Sequence, residues 1–565
     1  MHIFSKITLL LILISSLSLR INAESKDPIR AKNGMVVSAS TIASEVGVQI
    51  LKKGGNAVDA AVAVGFALAV TYPSAGNIGG GGFMLIHLND GTNTTIDYRE
   101  KAPISAKEKM YLDSAGNFIP ELSQFGVTSS GVPGSVAGLI YALQKYGTLS
   151  LEEIIQPAIE LAENGFPLEY RLAKSLEYEN EYFKRYPSTK KVFTKDGLPF
   201  NEGDILFQKD LANTLKKIRD FGADGFYSGE VAQLIVNQIN KDGGYITLED
   251  LKSYKPIERK PVKTIYRGYD VLTMGPPSAG GVSLIQMLNI LENFYFTKNQ
   301  WGSSEYLHCL VESMKYAFAD RSKHIGDPDF YAVPLENLLS KQYAIFLSEK
   351  IGDEAIPSEK IFPSDLSQLI ESEETTHYSI IDNYGNAVST TTTINSGYGS
   401  KVVVEGAGFL LNNEMDDFSV KPGIPNQFGL TGSEANKIEP EKRMVSSMSP
   451  TILLNDNKPF LIIGSPGGST IATVVLQVLL NVVDFEMDIQ QAIDMPRIHH
   501  QWLPDQIDYE KFGLTVDVIN ALKKKGHNLG FERTLGRVEG IIADYKNNLF
   551  YGATDPRGFG AAVGY

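Results

Sequence analysis

Cysteine is almost missing from this 565-residue chain, which carries Cys309 and no other. No disulfide can therefore form within the chain, and a fold of this length must depend on its hydrophobic core. Cys309 lies in a helical pattern with Leu307, Leu310, Val311 and Met314. We therefore interpret it as a packing residue and not as a catalytic thiol.

Positive charge is also scarce. Lys and Arg together number 52 against 66 Asp and Glu, which gives a formal net charge of -14 at pH 7. Phosphate backbones would repel such a chain, so we expect no nucleic-acid partner. The sequence contains no polybasic patch of the kind that binds anionic membranes.

Long hydrophobic runs are missing from the body of the chain. The stretch from Val58 to Val70 is apolar, but it is too short to span a bilayer and contains Gly65. We therefore expect no stable membrane anchor there.

The N-terminus has the order of a secretory signal. Lys6 precedes an apolar run from Ile7 to about Leu19, and Ala23 follows as a cleavage site. The run is short for about 30 Å of hydrocarbon, which disfavours the alternative of an uncleaved anchor. The sequence predicts a signal peptide over residues 1–23 and an exported protein, either periplasmic or secreted.

Several common catalytic motifs are absent. The chain has no G-x-S-x-G elbow, no phosphate-binding loop, no dinucleotide fingerprint and no H-E-x-x-H zinc motif. His499 and His500 are adjacent, so in a strand their rings face opposite ways, which disfavours a shared metal. We expect no metal and no cofactor. Among nucleophilic designs, a Ser or Thr activated by an N-terminal amine remains.

The first two thirds of the chain mix helices and strands. Asn56 is a helix cap for Ala57–Val70, a glycine run follows at Gly79–Gly82, and Phe83–Ile86 is predicted as a strand. Further helices are predicted at Leu151–Asn164, Lys209–Arg219 and Glu305–Ala319.

The amino-acid composition of the chain changes before residue 375. Residues 358–374 are rich in Ser, Glu, Asp and Pro, which predicts an exposed, flexible segment. The stretches Thr376–Ile381 and Ala387–Ile394 are rich in β-branched residues and flank a turn that contains Gly385, so they predict a hairpin. A chain break before Thr375 would be sterically possible at this junction.

Such a break would create a catalytic base. A free α-amine has a pKa of about 7.7–8 and accepts protons near neutral pH without a histidine. The alternative is that Thr375 has only a structural role, because most Thr-rich strands are simply parts of a sheet.

Several longer motifs together indicate one known family. It resembles the gamma-glutamyltranspeptidases over essentially the whole mature chain. The matching runs are Gly54–Ala61, Gly76–Phe83, Asp97–Pro103, Thr375–Ser379, Asp382–Val388, Thr393–Asn395, Gly408–Phe418, Ser446–Thr451, Gly464–Ser469 and Thr554–Arg557.

The resemblance implies an α+β fold, the four-layer αββα sandwich of N-terminal nucleophile hydrolases. It also implies self-cleavage between Glu374 and Thr375. The products would be a large subunit, residues 24–374, and a small subunit, residues 375–565, which remain a heterodimer because they share one core.

The resemblance also implies the catalytic residues. Thr375 would be the nucleophile in both self-cleavage and catalysis, and Thr393 would orient it. Gly467 and Gly468 would form the oxyanion hole with backbone N–H groups. Without the family match, Thr393 would be interpreted as a packing residue and the two glycines as a simple turn.

The implied substrate site binds a free α-amino acid. Arg99 would take the α-carboxylate with help from Ser446 and Ser447, because a planar guanidinium suits that task. The α-ammonium would be bound by Asp417, Glu414 and Asn395. The alternative is that the charged members are solvated surface groups.

A lid is implied over Pro422–Ser433. Many bacterial relatives carry a tyrosine where this chain has Phe428, so the chain lacks the hydroxyl that would contact Asn395. A gating role for Phe428 by packing is a hypothesis.

The implied reaction is acyl transfer from glutathione and other gamma-glutamyl compounds to water, amino acids or dipeptides. One alternative is a glutaryl or cephalosporin acylase of the same fold, whose substrates lack part of the amino-acid head. Another is an exported binding protein for gamma-glutamyl peptides that never undergoes self-cleavage.

Overall fold

The computed structural model describes residues 25–361, 375–421, 424, 426–430 and 432–565. The predicted signal peptide, Glu374, most of the predicted flexible segment and four positions of the predicted lid lie outside these residues.

The described residues form strands and helices, numbered here in chain order. The strands are β1 Ile29–Ala31, β2 Gly34–Ser38, β3 Gly81–His87, β4 Asn93–Asp97, β5 Phe166–Pro167, β6 Ile205–Leu206, β7 Ile257–Arg259, β8 Val262–Tyr266, β9 Tyr269–Thr273, β10 Thr376–Asp382, β11 Ala387–Thr393, β12 Thr451–Asn455, β13 Lys458–Gly464, β14 Ile498–His499, β15 Ile507–Tyr509, β16 Leu529–Glu532, β17 Glu539–Asp544, β18 Leu549–Thr554 and β19 Ala561–Gly564. The helices are α1 Thr41–Lys52, α2 Ala57–Thr71, α3 Pro120–Gln124, α4 Ser135–Tyr146, α5 Leu151–Asn164, α6 Tyr170–Phe183, α7 Pro187–Phe193, α8 Lys209–Phe221, α9 Asp224–Tyr227, α10 Gly229–Lys241, α11 Leu248–Ser253, α12 Ala279–Leu291, α13 Ser304–His324, α14 Leu335–Leu338, α15 Lys341–Ser348, α16 Ile471–Val483, α17 Ile489–Asp494 and α18 Val516–Lys524.

Two seven-stranded sheets form the centre of the fold. The order of the first is β1-β18-β17-β13-β12-β9-β8, and that of the second is β19-β2-β10-β11-β3-β4-β7. Neighbouring strands in both sheets run antiparallel.

The sheets pack face to face with helices outside. Val37 of β2 and Ile462 of β13 belong to one core between the sheets. Their neighbours Val36 and Ile463 point the other way, toward two larger cores shared with the helices. Because side chains alternate along a strand, each sheet is buried on both faces. The predicted four-layer αββα arrangement is confirmed.

Local signals predict the elements well. Asn56 caps α2 with a full capping box, as expected, and every residue of α2 is buried. Helix α5 has the predicted bounds, whereas α8 and α13 extend beyond their predictions. The predicted hairpin is present as β10 and β11, with Thr376 opposite Thr392.

Both sheets combine strands from the two sides of residue 375. Strand β10 lies between β2 and β11, and β11 pairs with β3. In the first sheet, β12 pairs with β9. A cut before Thr375 would therefore leave these ladders and their shared cores intact.

Two residues at the start of the predicted flexible segment are buried, which corrects the expectation for Ser358 and Ile361, whereas Glu359 and Lys360 between them are exposed as expected. Ser358 is 0% and Ile361 is 2% exposed. The indole Nε1 of Trp502 donates to Ser358 O at 2.9 Å, and Ser358 N donates to Asp505 Oδ2 at 2.9 Å. Composition suggested exposure, but residues more than a hundred positions later in the chain hold this stretch.

Cys309 lies on α13 and packs against the helical core beside the first sheet. Burial raises the pKa of its thiol to about 11, so the group stays protonated at neutral pH. In the described part of the chain, no helix has both the length and the apolar character needed to cross a bilayer.

Candidate active site

One cavity brings together ten of the eleven predicted site residues. Its lining includes Arg99, Thr375, Thr393, Asn395, Glu414, Asp417, Phe428, Ser446, Ser447 and Gly468. The eleventh, Gly467, precedes Gly468 directly. The enclosed space is about 40 Å³.

The hairpin positions the two threonines. Thr375 immediately precedes β10, and Thr393 is the last residue of β11. Since Thr376 pairs with Thr392, the antiparallel register brings Thr375 and Thr393 together at one end of the strand pair. Both are buried, and Thr393 Oγ1 accepts from Asn395 N at 2.8 Å.

The two glycines form the turn between β13 and α16. Gly467 has φ of 134° and Gly468 has φ of 51°, a region that favours glycine. The turn continues as a 3-10 segment, Gly468–Thr470, into the N-terminus of α16. The positive end of a helix dipole therefore lies beside the cavity, where it favours a developing negative charge.

Arg99 is the centre of the charged side of the cavity. Its NH1 donates to Glu414 Oε1 and its NH2 donates to Asp417 Oδ2. The same guanidinium lies 3.5 Å from Glu100 Oε2 and donates to Val445 O at 3.2 Å. The Arg99 side chain is 0% exposed and that of Asp417 is 13% exposed, so three carboxylates surround one buried cation.

Burial dominates the protonation of this cluster. It raises the pKa of Glu100 to about 7 and that of Glu414 well above its usual value, although Arg99 acts in the opposite direction. Burial also raises the pKa of Asp417. Burial alone would lower the pKa of Arg99, but the neighbouring carboxylates raise it above its usual value.

The two serines also line the cavity. Ser446 Oγ accepts from Met448 N at 3.1 Å, and Ser447 Oγ accepts from Arg321 NH2 at 3.3 Å. Burial lowers the pKa of Arg321 to about 10, although Asp417 opposes this shift, so the guanidinium stays charged at neutral pH.

Comparison with known proteins identifies the same family as the sequence motifs. The family model described as gamma-glutamyltranspeptidase matches residues 43–565. The chain belongs to the gamma-glutamyltranspeptidase family. The expectation of this family, and with it of an enzyme, is therefore confirmed.

Individual relatives support the family assignment. The chain is 48% identical over 532 residues to a protein of Escherichia coli K12 named glutathione hydrolase proenzyme, covering 94% of this chain and 91% of that protein. A gamma-glutamyltranspeptidase structure from Helicobacter pylori is 48% identical with a TM-score of 0.57, covering 60% of this chain and 96% of its own. A cephalosporin acylase from Bacillus halodurans is 30% identical with a TM-score of 0.86, covering 97% and 98% of the two chains.

Phe428 lines the cavity beside the glycine turn. It is 3% exposed, and its N donates to Asn426 Oδ1 at 2.9 Å. A Cβ atom added to Gly468 would lie 2.9 Å from Phe428 Cδ1, so the ring packs against the glycine turn. Asn426 Nδ2 in turn donates to Asp417 Oδ1 at 3.2 Å.

The sequence did not identify Arg321, Asn426 or Glu100, which are charged or polar residues at this site. Arg321 comes from the C-terminal turn of α13, and nothing in its sequence neighbourhood indicates a position beside Ser447. Asn426 lies within the predicted lid but was not singled out. Glu100 follows Arg99 directly, and adjacency to a predicted ligand-binding arginine was the signal that could have identified it.

The two adjacent histidines do not share a ligand position. His499 Nδ1 lies 2.8 Å from Thr473 Oγ1, whereas His500 Nε2 lies 3.2 Å from Asp505 Oδ1. In the described part of the chain, a group that could hold a metal occurs at His308, Glu312 and His527, none of which lines the active-site cavity.

Proposed function

We propose that this protein cleaves itself before Thr375 and then uses Thr375 to transfer gamma-glutamyl groups from glutathione and related compounds. The observation that carries the proposal is that Thr375, Arg99 and Asp417 line one cavity. A nucleophile, an anion-binding group and a cation-binding group are thus within reach of one small substrate.

Maturation follows from the position of Thr375. Its hydroxyl attacks the carbonyl carbon of Glu374, and the peptide bond is exchanged for an ester while the nitrogen becomes a free α-amine. Water then hydrolyses the ester, which leaves a carboxylate on Glu374 and a hydroxyl on Thr375. Thr393 orients the hydroxyl in both this reaction and the later ones.

The mature enzyme repeats the chemistry on its substrate. Thr375 Oγ attacks the gamma-carbonyl carbon, and the α-amine of Thr375 accepts the hydroxyl proton. The negative charge on the carbonyl oxygen is stabilised by N–H groups of Gly467 and Gly468. The α-amine then protonates the leaving amine, and an ester between the gamma-glutamyl group and Thr375 remains.

The ester is released by an acceptor. Water gives free glutamate, whereas the amine of an amino acid or dipeptide gives a new gamma-glutamyl amide. In either case the proton of the attacking group passes to the α-amine of Thr375, which then donates it to the leaving Thr375 Oγ and so regenerates the hydroxyl.

The charged cluster supports recognition of a zwitterion. Arg99 is already paired with Glu414 and Asp417. An α-amino-acid head adds one carboxylate for Arg99 and Ser446, and one ammonium for Asp417, Glu414 and Asn395. The net charge of the buried site then stays unchanged, which avoids the large penalty of an unpaired buried charge.

The same balance of charges disfavours the acylase alternative. The similarity to the cephalosporin acylase of Bacillus halodurans makes that function the second candidate. A glutaryl group, however, brings a carboxylate without an ammonium and would leave Asp417 and Glu414 without their added cation. We expect turnover of gamma-glutamyl-p-nitroanilide to exceed that of glutaryl-p-nitroanilide, and the reverse order would favour the acylase.

The non-processing binding protein makes a different prediction. It should remain one chain on a denaturing gel and bind gamma-glutamyl peptides without turnover. Self-cleavage instead gives fragments of roughly 38 and 21 kDa, with the signal peptide excluded.

The subunits, partners and location belong to the same proposal. Residues 24–374 and 375–565 would stay together because β10 and β11 pair with β2 and β3. The Helicobacter pylori chain supports this division, since its match to 60% of the present chain is close to the share of the large subunit. Residues 1–23 would direct export to the periplasm or the medium and would be removed on the way.

A further inference from the structure

A second polar cluster lies outside the active-site cavity. His308 and Glu312 stand four residues apart on α13, and His527 follows α18. One potential ligand atom of each residue lies within 4.8 Å of the others. The three residues are 2%, 0% and 6% exposed, so the cluster is buried.

The imidazole of His308 is oriented as a ligand. Its Nε2 lies 2.9 Å from Gly352 O, and its Nδ1 lies 2.8 Å from His527 Nε2. Because a carbonyl oxygen only accepts, Nε2 carries the proton, and Nδ1 of the neutral ring directs its lone pair at His527 Nε2, the neighbouring member of the cluster. Histidines that bind metals usually donate their other N–H to a carbonyl or carboxylate in this way.

The carboxylate of Glu312 completes the group. Its Oε1 lies 2.5 Å from Lys315 Nζ. Its Oε2 is buried and has no hydrogen-bond partner among the residues that the structure describes. A buried carboxylate oxygen without a partner is unfavourable, and a cation beside it would remove that penalty.

We propose that His308 Nδ1, His527 Nε2 and Glu312 Oε2 bind one divalent transition-metal ion of the zinc type. Two imidazole nitrogens and one carboxylate oxygen suit Zn²⁺ better than Mg²⁺ or Ca²⁺, which prefer oxygen ligands alone. Water takes the fourth position of the tetrahedron.

Binding requires a small local change. Two nitrogens at Zn–N distances of about 2.0–2.1 Å in a tetrahedron are about 3.4 Å apart, so the present 2.8 Å contact lengthens and both rings rotate until their lone pairs converge on the ion. The proton on His527 Nε2 moves to Nδ1 of the same ring, which stays neutral. Lys315 keeps its ion pair with the other oxygen of Glu312.

The ion would join the two predicted subunits. His308 and Glu312 precede residue 375, whereas His527 follows it. Gly352, which orients His308, lies in the stretch that leads to the buried Ser358. Because the ion binds the folded, assembled protein and not the separated chains, it would stabilise the assembly by an amount that grows with the logarithm of its free concentration.

The test uses untagged, full-length protein stripped with a chelator and titrated with Zn²⁺ by calorimetry. We expect one Zn²⁺ per chain, a higher melting temperature in Zn²⁺, and visible absorption of a four-coordinate Co²⁺ complex when Co²⁺ replaces Zn²⁺. His308→Gln and His527→Gln should each weaken binding by more than about tenfold. His87→Gln is the matched control, since it alters a buried histidine on β3.

Wild-type protein alone can overturn the proposal. No saturable binding of Zn²⁺ or Co²⁺ at micromolar concentrations would contradict it, whether or not the variants fold. Equal affinity in wild type, His308→Gln and His527→Gln would contradict it too, because the ion would then be bound elsewhere.

Discussion

Arg99 and Asp417 form a buried ion pair within the cavity that Thr375 lines. The pair joins a residue that follows β4 to a 3-10 turn, Glu414–Asp417, more than three hundred positions later. It places side by side the two opposite charges that an amino-acid head would bind. Each of the two side chains also holds the other in position.

Replacing Arg99 tests this double role. Arg99→Lys keeps the charge but loses the bidentate geometry, so KM for gamma-glutamyl-p-nitroanilide should rise about 10- to 100-fold. Arg99→Gln leaves Glu414 and Asp417 without a cation and should destabilise the fold by about 3–5 kcal/mol. Steady-state kinetics and thermal unfolding measure the two effects. Arg219→Lys, in an exposed pair, should change neither.

Thr393 should act through Thr375. Thr393→Ala removes the hydroxyl at the end of β11, so both the rate of self-cleavage and kcat should fall, by roughly 100-fold for a displaced nucleophile. Thr393→Ser should restore both, because it keeps the hydroxyl. Thr390→Val, on the same strand, is the control, and an equal loss in that variant would show that strand packing is responsible.

The glycine turn and Phe428 should be coupled. Gly468→Ala places a Cβ atom 2.9 Å from the Phe428 ring at a φ that disfavours side chains, so kcat should fall, by up to the 10²–10³-fold typical of a lost oxyanion donor. Adding Phe428→Ala removes the clash and should recover part of the loss. Phe428→Ala alone should change KM by uncovering the cavity. If KM and kcat of this variant equal those of the wild type, the gating hypothesis is wrong.

Glu100 should make stability depend on pH. Burial raises its pKa to about 7, so the folded protein binds a proton that the unfolded chain releases above its ordinary carboxyl pKa. The stability linked to this group is complete below the unfolded pKa and is lost as pH rises toward 7. Glu100→Gln should therefore raise the melting temperature at pH 8 by a few degrees and change it little at pH 4.

The control for this effect is Glu532→Gln, an exposed substitution on β16. It should leave the difference in melting temperature between pH 4 and pH 8 as in the wild type. A Glu100→Gln protein that is stabilised equally at both values would contradict the assignment of the proton to Glu100.

Sequence patterns predicted the helices and strands because the interactions that form them are local. Asn56 caps α2 through neighbouring N–H groups, and the β10–β11 hairpin depends on a turn of a few residues. The contacts that complete the site are not local. Arg321 meets Ser447 across 126 positions, and Ser358 is buried by Trp502, so no sequence window contains both partners.

The predicted catalytic residues were identified from the family resemblance and not from local patterns. Thr393 is one of four consecutive threonines, and spacing alone cannot distinguish it from Thr390. Only the resemblance to a known family selected it. The structure adds that Thr393 is the member of the run at the end of β11, beside the cavity.

Intact mass and N-terminal sequencing of the purified, active protein test the central claim most directly. The account predicts two chains, the smaller beginning Thr-Thr-His-Tyr-Ser at Thr375, and a single chain without activity in Thr375→Ala. A single unbroken polypeptide with full gamma-glutamyl turnover, or a smaller chain that begins at another residue, would contradict it.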